Sequence, residues 1–407
     1  MKRAFLTTCL AAAPLATAQA DDFSIKPLLD ARLRYERSNQ EGVARDAHAV
    51  TLRARFGAEA KYKWISALVE GEGTVAPLEK YFSGVNGKAD RPIIADPENI
   101  ELNRAQVQIT ALPKTAITLG RQRINLDDQR FVGSVGWRQN EQTFDSARIE
   151  WSGVENLKVD LTYAWNVRTI WGIDGRDGRP QGIDGDNVFA NISYKTPFGT
   201  LTGFAYVVDA ENAAVVRNAS KTFGARFVGA YPVAKAFKLN YAASYASQTD
   251  SGRNPNDYQA DYYLVEGGAD IGAFKLGAGY EVLGADNGVA QTSFQTPLAT
   301  LHKFQGTADV FLVTPPNGIR DVYGSAGYGW KQAGPFANLS LNATYHNFRS
   351  DRADQRYGDE LDLQATAKIG KFGLLAKYAT YDGAALAPTP ALQRDLRKLW
   401  FSIEYQL

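Results

Sequence analysis

Arginines recur two residues apart in the N-terminal half of this chain. Arg32 and Arg34 lie between Asp30 and Glu36, and Arg53 and Arg55 precede Glu70 and Glu72. Arg104 travels with Gln106 and Gln108, Arg148 with Glu150, and Lys158 with Asp160. A guanidinium is a rigid, permanently charged fork that matches a carboxylate. A row of such forks along a passage favours anions, as basic rings do in pores. Carboxylates interleave with them, so a balanced ladder of ion pairs stiffening a wall is the competing outcome. Net anion preference is the expectation taken forward.

A second group sits in GRQRINLDDQRFVGSVGWRQNEQTFD, residues 120–145. The segment follows neither the two-residue period of a strand nor the 3.6-residue period of a helix. Arg121, Arg123, Asp127, Asp128, Arg130, Arg138 and Glu141 crowd it, together with Phe131 and Trp137. Mixed charges of this kind suit a constriction. The two aromatic rings need cover, or they stack on sugar rings. Arg121 and Arg123 share the alternation of Ile117 and Leu119, which aims them away from the polar face. Either the strand ends near Gly120 or a bulge re-aims them.

Other groupings carry less. Asp174, Asp177, Asp184 and Asp186 stand among glycines in residues 173–187, a composition able to ligate Ca²⁺. The EF-hand spacing and its closing Glu are absent, so a flexible outside loop is expected there, and no other metal or cofactor. His48, His302 and His346 are the only histidines, without H-x-x-x-H or Ser-His-Asp spacing. Phosphate-loop and dinucleotide motifs are missing. Cys9 is the single cysteine, which leaves no disulfide framework. A net charge of +1 implies no nucleic-acid-binding tail. No enzyme is expected.

The elements that must carry these residues are strands. In LKVDLTYAWNVR, Leu157, Val159, Leu161, Tyr163, Trp165 and Val167 share one face. Lys158, Asp160, Thr162, Asn166 and Arg168 share the other. The length suits a tilted strand crossing a bilayer. AVTLRARFGAEA, FKLNYAASYA, FKLGAGYEV and ELDLQATAKI repeat the pattern, and Leu399 to Leu407 end the chain on it. That aromatic terminal strand is similar to the signal read by the barrel-assembly machinery. Short connections such as 112–115, 196–199 and 370–371 alternate with long ones such as 37–47, 73–99, 124–142 and 284–318. About 18 strands result, provided HKFQGTADVF (302–311) belongs to a long loop, as the breaker Pro315-Pro316-Asn317-Gly318 suggests.

Residues 1–20, with Lys2, Arg3, an apolar run and Ala18-Gln19-Ala20, read as a cleaved signal peptide. Residues 21–407 then form one domain: an all-β, transmembrane, antiparallel up-and-down barrel of the bacterial outer membrane. Polar faces line a lumen too wide for side chains to fill. Residues 120–145 become the third outside loop, expected to fold inward.

That segment, with ELNRAQVQI upstream and LHKFQG downstream, resembles the alginate export family of outer-membrane proteins over nearly the whole mature chain. The resemblance implies an 18-stranded monomer in lipid and lipopolysaccharide. It also implies a narrow electropositive passage for an anionic polysaccharide such as alginate. A channel for anionic solutes, or for such a polymer, is the leading expectation. A barrel without a transport role, either enzyme or adhesin, is the alternative.

Overall fold

A computed structural model describes residues 22–407; the leader assigned to residues 1–20, with Cys9, lies outside the described residues. The strands are β1 (Phe23–Gln40), β2 (Ala47–Tyr62), β3 (Ile65–Lys80), β4 (Asn99–Ile109), β5 (Thr115–Gln122) and β6 (Thr143–Trp151). They continue as β7 (Leu157–Arg168), β8 (Gly182–Thr196), β9 (Gly199–Val208), β10 (Ser220–Ala234), β11 (Phe237–Asp250) and β12 (Gln259–Ile271). The last are β13 (Phe274–Leu283), β14 (Ile319–Ala333), β15 (Phe336–Arg349), β16 (Arg356–Ile369), β17 (Phe372–Gly383) and β18 (Leu396–Gln406). Each pairs antiparallel with its sequence neighbour, and β1 pairs with β18, so the 18-stranded sheet closes on itself.

The two-residue period sets what each side of this wall presents. Phe56, Leu119, Val265 and Phe401 point outward and are exposed, as a lipid-facing surface requires. Tyr62, Trp64, Phe198, Tyr231, Phe274 and Phe372 ring the short-turn end. Tyr163, Trp165, Tyr245 and Tyr263 stand outward near the long-loop end. Two such girdles mark the two membrane interfaces. Strands β1 and β2 run 18 and 16 residues, longer than the roughly 9–11 a crossing needs. The wall therefore rises beyond the bilayer, and several long connections are shorter than the alternation suggests. The first of them is residues 41–46, and the second, L2, is residues 81–98.

One bulge matters for the lumen. Ile100 and Leu102 face outward, and so does Val107. These parities conflict unless one residue is added between them. The register shift at Glu70 and Gly71 supplies it, and Asn103 and Arg104 both reach Glu70 on the inside.

The remaining loops on this side are L3 (residues 123–142), L4 (169–181), L5 (209–219), L6 (251–258), L7 (284–318), L8 (350–355) and L9 (384–395). The 302–311 segment lies in L7, where Leu301–Lys303 forms a 3-10 turn. L3 and L7 turn into the barrel and carry the buried core: Ile124, Leu126, Val132, Phe294, Leu298 and Phe311 pack with Phe144, Phe189, Tyr262 and Trp400 of the wall.

The outward face makes a direct prediction. Phe56→Arg places a charge near mid-strand on the lipid side and lowers folding free energy by about 2–4 kcal/mol. Urea titration of folding into lipid vesicles reads the loss, and an unchanged midpoint would show that this face does not meet hydrocarbon.

Candidate functional site: a constriction built from two loops

L3 leaves β5 at an irregular point. Gly120 has φ +112°, and a Cβ there would lie 2.3 Å from the Ala105 carbonyl oxygen. Strand β5 nevertheless runs on to Gln122. Arg121 therefore keeps its outward parity and pairs with Asp145 of β6 at 2.7 Å, while also donating to the Leu102 carbonyl. Of the residues expected in the constriction, Arg121 alone is on the wrong side of the wall. A bulge would have re-aimed it; the strand has none at that point. Arg123, two residues on, does turn inward to Glu70 and Glu141.

From there L3 crosses the lumen. Asp127 accepts from Asn191 of β8, and Asp128 pairs with Arg226 of β10 at 2.9 Å. Burial, with Asp128 beside it, pushes the Asp127 carboxyl above its usual range. Arg130 is fully buried and donates to Glu281 of β13 (2.7 Å), Thr296 (3.0 Å) and Gln305 (3.1 Å). On the opposite wall, Gln139 donates to Asp96 and Thr51, Asn140 meets Thr74, and Glu141 pairs with Arg55 at 3.3 Å. One 20-residue loop is thus fastened to both sides of the barrel.

L7 fastens it a third time. Gly133 N–H donates to the Leu298 carbonyl at 2.9 Å, and Thr300 N–H to the Gln129 carbonyl at 3.1 Å. A Cβ on Gly133 would sit 2.4 Å from Thr300 Oγ1, so the seam admits no side chain there. Val135 has φ +51°, a genuine outlier for a β-branched residue. Its N–H donates to Thr300 Oγ1 at 3.1 Å. Local strain of this kind persists only where surrounding contacts over-determine it.

The two aromatics of L3 are covered. Phe131 packs against Phe204, Tyr206, Tyr262 and Phe294. Trp137 stacks on His302 with 4.0 Å between ring centroids, while Arg34 and Lys377 lie over the indole at 4.2 and 4.5 Å. Neither ring has a face left for a sugar, so of the two expectations the need for cover holds.

The wall arginines are all on the inside, but not as a free basic row. Arg53 meets Asp30 and Glu404, Arg55 meets Glu72, and Arg104 meets Glu70 at 2.7 Å. Arg148 pairs with Asp160 and Glu150, and Arg32 with Glu404 at 2.9 Å. Arg32 also donates to the carbonyls of Gly136, Trp137 and Arg138, and Arg34 to that of Trp137. Arg34 and Arg53 are covered completely. These side chains hold L3 in place and offset the carboxylates around them.

A tighter cluster stands where L3, L7 and the wall converge. Arg138 donates to Asp309 at 2.7 Å and lies 3.6 Å from Glu36 and 4.0 Å from Asp96. Burial alone would lower its pKa; Asp309, Glu36 and Asp96 outweigh that and keep it charged. Lys398 reaches Asp309 at 3.3 Å, and Arg34 reaches Asp96 at 3.5 Å. His302 contacts Asp309 through Nδ1 at 2.7 Å and Lys377 through Nε2 at 3.0 Å. Burial takes the His302 pKa down to about 3, against the pull of Asp309 and with the help of Lys377. Its Nδ1–H therefore donates to Asp309, and Nε2 accepts from the Lys377 ammonium. Asp309 would be raised by burial, but His302, Lys398 and Arg138 hold it well below the carboxylate range.

Asp96, His302, Asp309, Lys377 and Lys398 escape a reading by sequence. Lys377 and Lys398 did carry a signal, because both alternate with outward residues in their strands. Asp96 and Asp309 sit in loops and carried none. Behind L7, Glu360 and Asp362 accept from the Ala308 and Thr307 N–H groups, and Asp321 pairs with His346 at 2.9 Å. Asp184 and Asp186 belong to β8, where they accept from Asn166 and Tyr163. Among the described residues no three His, Cys, Asp or Glu side chains gather as a metal ligand set.

Two measurements probe this seam. Arg130→Ala leaves Glu281 without its cation, a loss of about 3 kcal/mol, read as faster hydrogen exchange at residues 129–133 and a larger single-channel conductance. Removing Glu281 as well recovers part of it. The second concerns acid. The seated His302 takes a proton only near pH 3, whereas a free one does so at 6.5. Its contribution is complete above pH 6.5 and falls as pH drops from 6.5 to 3. Docking of L7 on L3 should weaken across that window, seen as rising conductance in planar bilayers, and His302→Gln should flatten the profile.

The sequence pattern of the alginate export family matches residues 29–296. Among curated proteins none matches the chain. Solved structures similar to it include OccK9 (OpdG) of Pseudomonas aeruginosa, 14% identical, with a TM-score of 0.71 over 94% of this chain and 98% of that one. OccAB1 of Acinetobacter baumannii is 14% identical, with a TM-score of 0.69 over 94% and 97% of the two chains. OpdQ of Pseudomonas aeruginosa is 15% identical, with a TM-score of 0.67 over 94% and 98%. At such identities the likeness is one of fold. The family match covers more than half of the chain, and the closed barrel agrees with it: the chain belongs to the alginate export family and is an outer-membrane channel.

Proposed function

We propose that the channel passes small anionic solutes carrying a carboxylate, and that its selectivity lies at the seam of L3 and L7 rather than along the arginine-bearing wall. One observation carries this reading. In direct contact at the seam stand four cations, Arg34, Arg138, Lys377 and Lys398, and three carboxylates, Glu36, Asp96 and Asp309, with Glu360 and Asp362 farther off behind L7. Among the groups in direct contact cations exceed carboxylates, and Lys377 has no ion pair of its own among the described residues, whereas Arg53, Arg55, Arg104 and Arg148 are each neutralised in place. Such an excess at a narrow point raises the local concentration of anions.

A second reading is export of a polyuronate such as alginate, and the family match favours it. A polyuronate presents the same carboxylates in series, but its passage requires the L3–L7 seam to part. Either way the functional unit is a single barrel without catalysis, since L3 and L7 form the constriction within one chain. Both ring nitrogens of His302 are engaged, which leaves none to activate a nucleophile. The 173–187 segment needs no Ca²⁺ in this reading. The aromatic β18 serves recognition by the barrel-assembly machinery.

Reversal potentials in planar bilayers test the reading. Anion preference is expected, and Lys377→Gln with Lys398→Gln should move it towards cations. Removing a neutral pair, Arg148→Gln with Asp160→Asn, should move it less. Cation preference in the unaltered channel would overturn the proposal, and block by oligouronates without passage of monomeric acids would favour the polymer.

A further inference from the structure

The lipid face of β13–β18 is not evenly covered. Ala326 of β14, Ala343 of β15, Ala365 of β16 and Ala376 of β17 share the outward parity. The register sets them side by side or one diagonal step apart. Phe274 and Tyr328 stand at one end of this row, and Leu363, Tyr378 and Leu399 at the other. Between them lies an open groove of about 560 Å³, lined almost wholly by carbon. It runs from the short-turn girdle, where Phe274 and Tyr328 pack edge to face at 4.6 Å, to Tyr378 near the middle of β17. Its volume is that of a small-molecule site, roughly 300–1,000 Å³.

The short-turn end of the barrel carries an independent signal. Each of the eight short turns has a lysine in it or within three residues of it, and none contains an arginine. Beneath the groove this charge is unopposed. Lys331 follows Trp330 of β14, and Lys371 sits in the β16–β17 turn before Phe372. Both are exposed and pair with no carboxylate among the described residues. Residues 331–343 and 363–381 contain no Asp or Glu. A lysine beside an interfacial aromatic lays its stem on the apolar edge and its ammonium among the headgroups.

We infer that the groove seats an acyl chain of one anionic phospholipid from the periplasmic leaflet, with Lys331 and Lys371 on its headgroup. Depth and charge both select this occupant. The groove reaches from one interface to mid-strand, on the side of the short periplasmic turns. Lysines at that interface attract anionic headgroups, each raising affinity about fivefold. A zwitterionic lipid fills the groove equally well but offers the lysines no net charge. The assignment is independent of what the channel passes.

Native mass spectrometry of the folded barrel in detergent micelles tests the assignment. The probes are dioleoyl phosphatidylglycerol, dioleoyl phosphatidylethanolamine and lipid A. One phosphatidylglycerol is expected to stay bound at lipid levels where phosphatidylethanolamine has left. Lys331→Gln and Lys371→Gln should each weaken phosphatidylglycerol about fivefold and leave phosphatidylethanolamine nearly as before. Ala343→Phe fills the groove and should release both phospholipids. Ala54→Phe, on the outward face of β2, should release neither. An unchanged far-ultraviolet circular dichroism spectrum shows that each variant is folded. Equal retention of the two phospholipids overturns the role of the lysines, and equal effects of Ala343→Phe and Ala54→Phe overturn the groove. Lipid A retained in preference to phosphatidylglycerol would move the ligand to the other leaflet and overturn the assignment. Barrel dimers abolished by Ala343→Phe would give the groove to a second copy and overturn it as well.

Discussion

Hydrocarbon offers no partner to a backbone N–H or C=O, so a sheet set in lipid must close. The pairing of β1 with β18, from Asp30 opposite Gln406 to Gln40 opposite Leu396, meets that constraint here. Closure at 18 strands then creates the next problem, because a lumen of that width cannot be filled by the side chains of its own wall. L3 and L7 solve it by entering the lumen with a core of their own. Phe131, Phe294 and Phe311 supply apolar area, and the wall returns Phe189, Tyr262 and Tyr381. The polar lumen of such a barrel is therefore interrupted by a genuine hydrophobic centre.

A loop inside a barrel has many neighbours and few that are obligatory, so its placement must be specified. Ion pairs do this better than they stabilise. A buried pair gains little over an apolar replacement, but a broken one is expensive. Every charged residue of L3 except Asp127, which accepts from Asn191, faces particular counter-charges: Asp128 has Arg226, Arg130 has Glu281, Arg138 has Asp309, and Glu141 has Arg55 and Arg123. A shift of L3 by one residue would strand several of them at once. The arginines on β1 act in the same sense, because Arg32 and Arg34 cap the carbonyls of residues 136–138, where the loop has no ladder to pair with.

This division explains what could be read in advance. The strands were legible because lipid imposes a strict period of two: residues 157–168 follow it, and so does the wall that they build. L3 was legible by its failure to follow that period, since a segment held inside answers to particular counter-charges instead. Arg121 was misplaced for a local reason. The alternation through Leu119 continues past Gly120, and Asp145 on the adjacent strand receives the charge at the rim. Asn103 was invisible because a bulge leaves no mark in the order of residue types. The contribution of L7 was hidden too. Asp309 and His302 are ordinary loop residues until the closed barrel brings Arg138, Lys377 and Lys398 to them.

The number of arginines in a lumen is a poor guide to what passes through it. Arg148 beside Asp160 is a dipole, and the field of a dipole fades faster with distance than that of a charge. Water and salt in a wide lumen screen what remains within about 8–10 Å. At the seam the conditions reverse. Arg34, Arg138, Lys377 and Lys398 outnumber the carboxylates in direct contact with them, and Trp137 and Trp400 pack against them. A single uncompensated charge acts far more strongly where the surroundings are apolar than where they are wet. On the proposed function, the feature that sets preference is the local imbalance held by L3 and L7, and the longer ladder of arginines serves to keep those loops where the imbalance is felt.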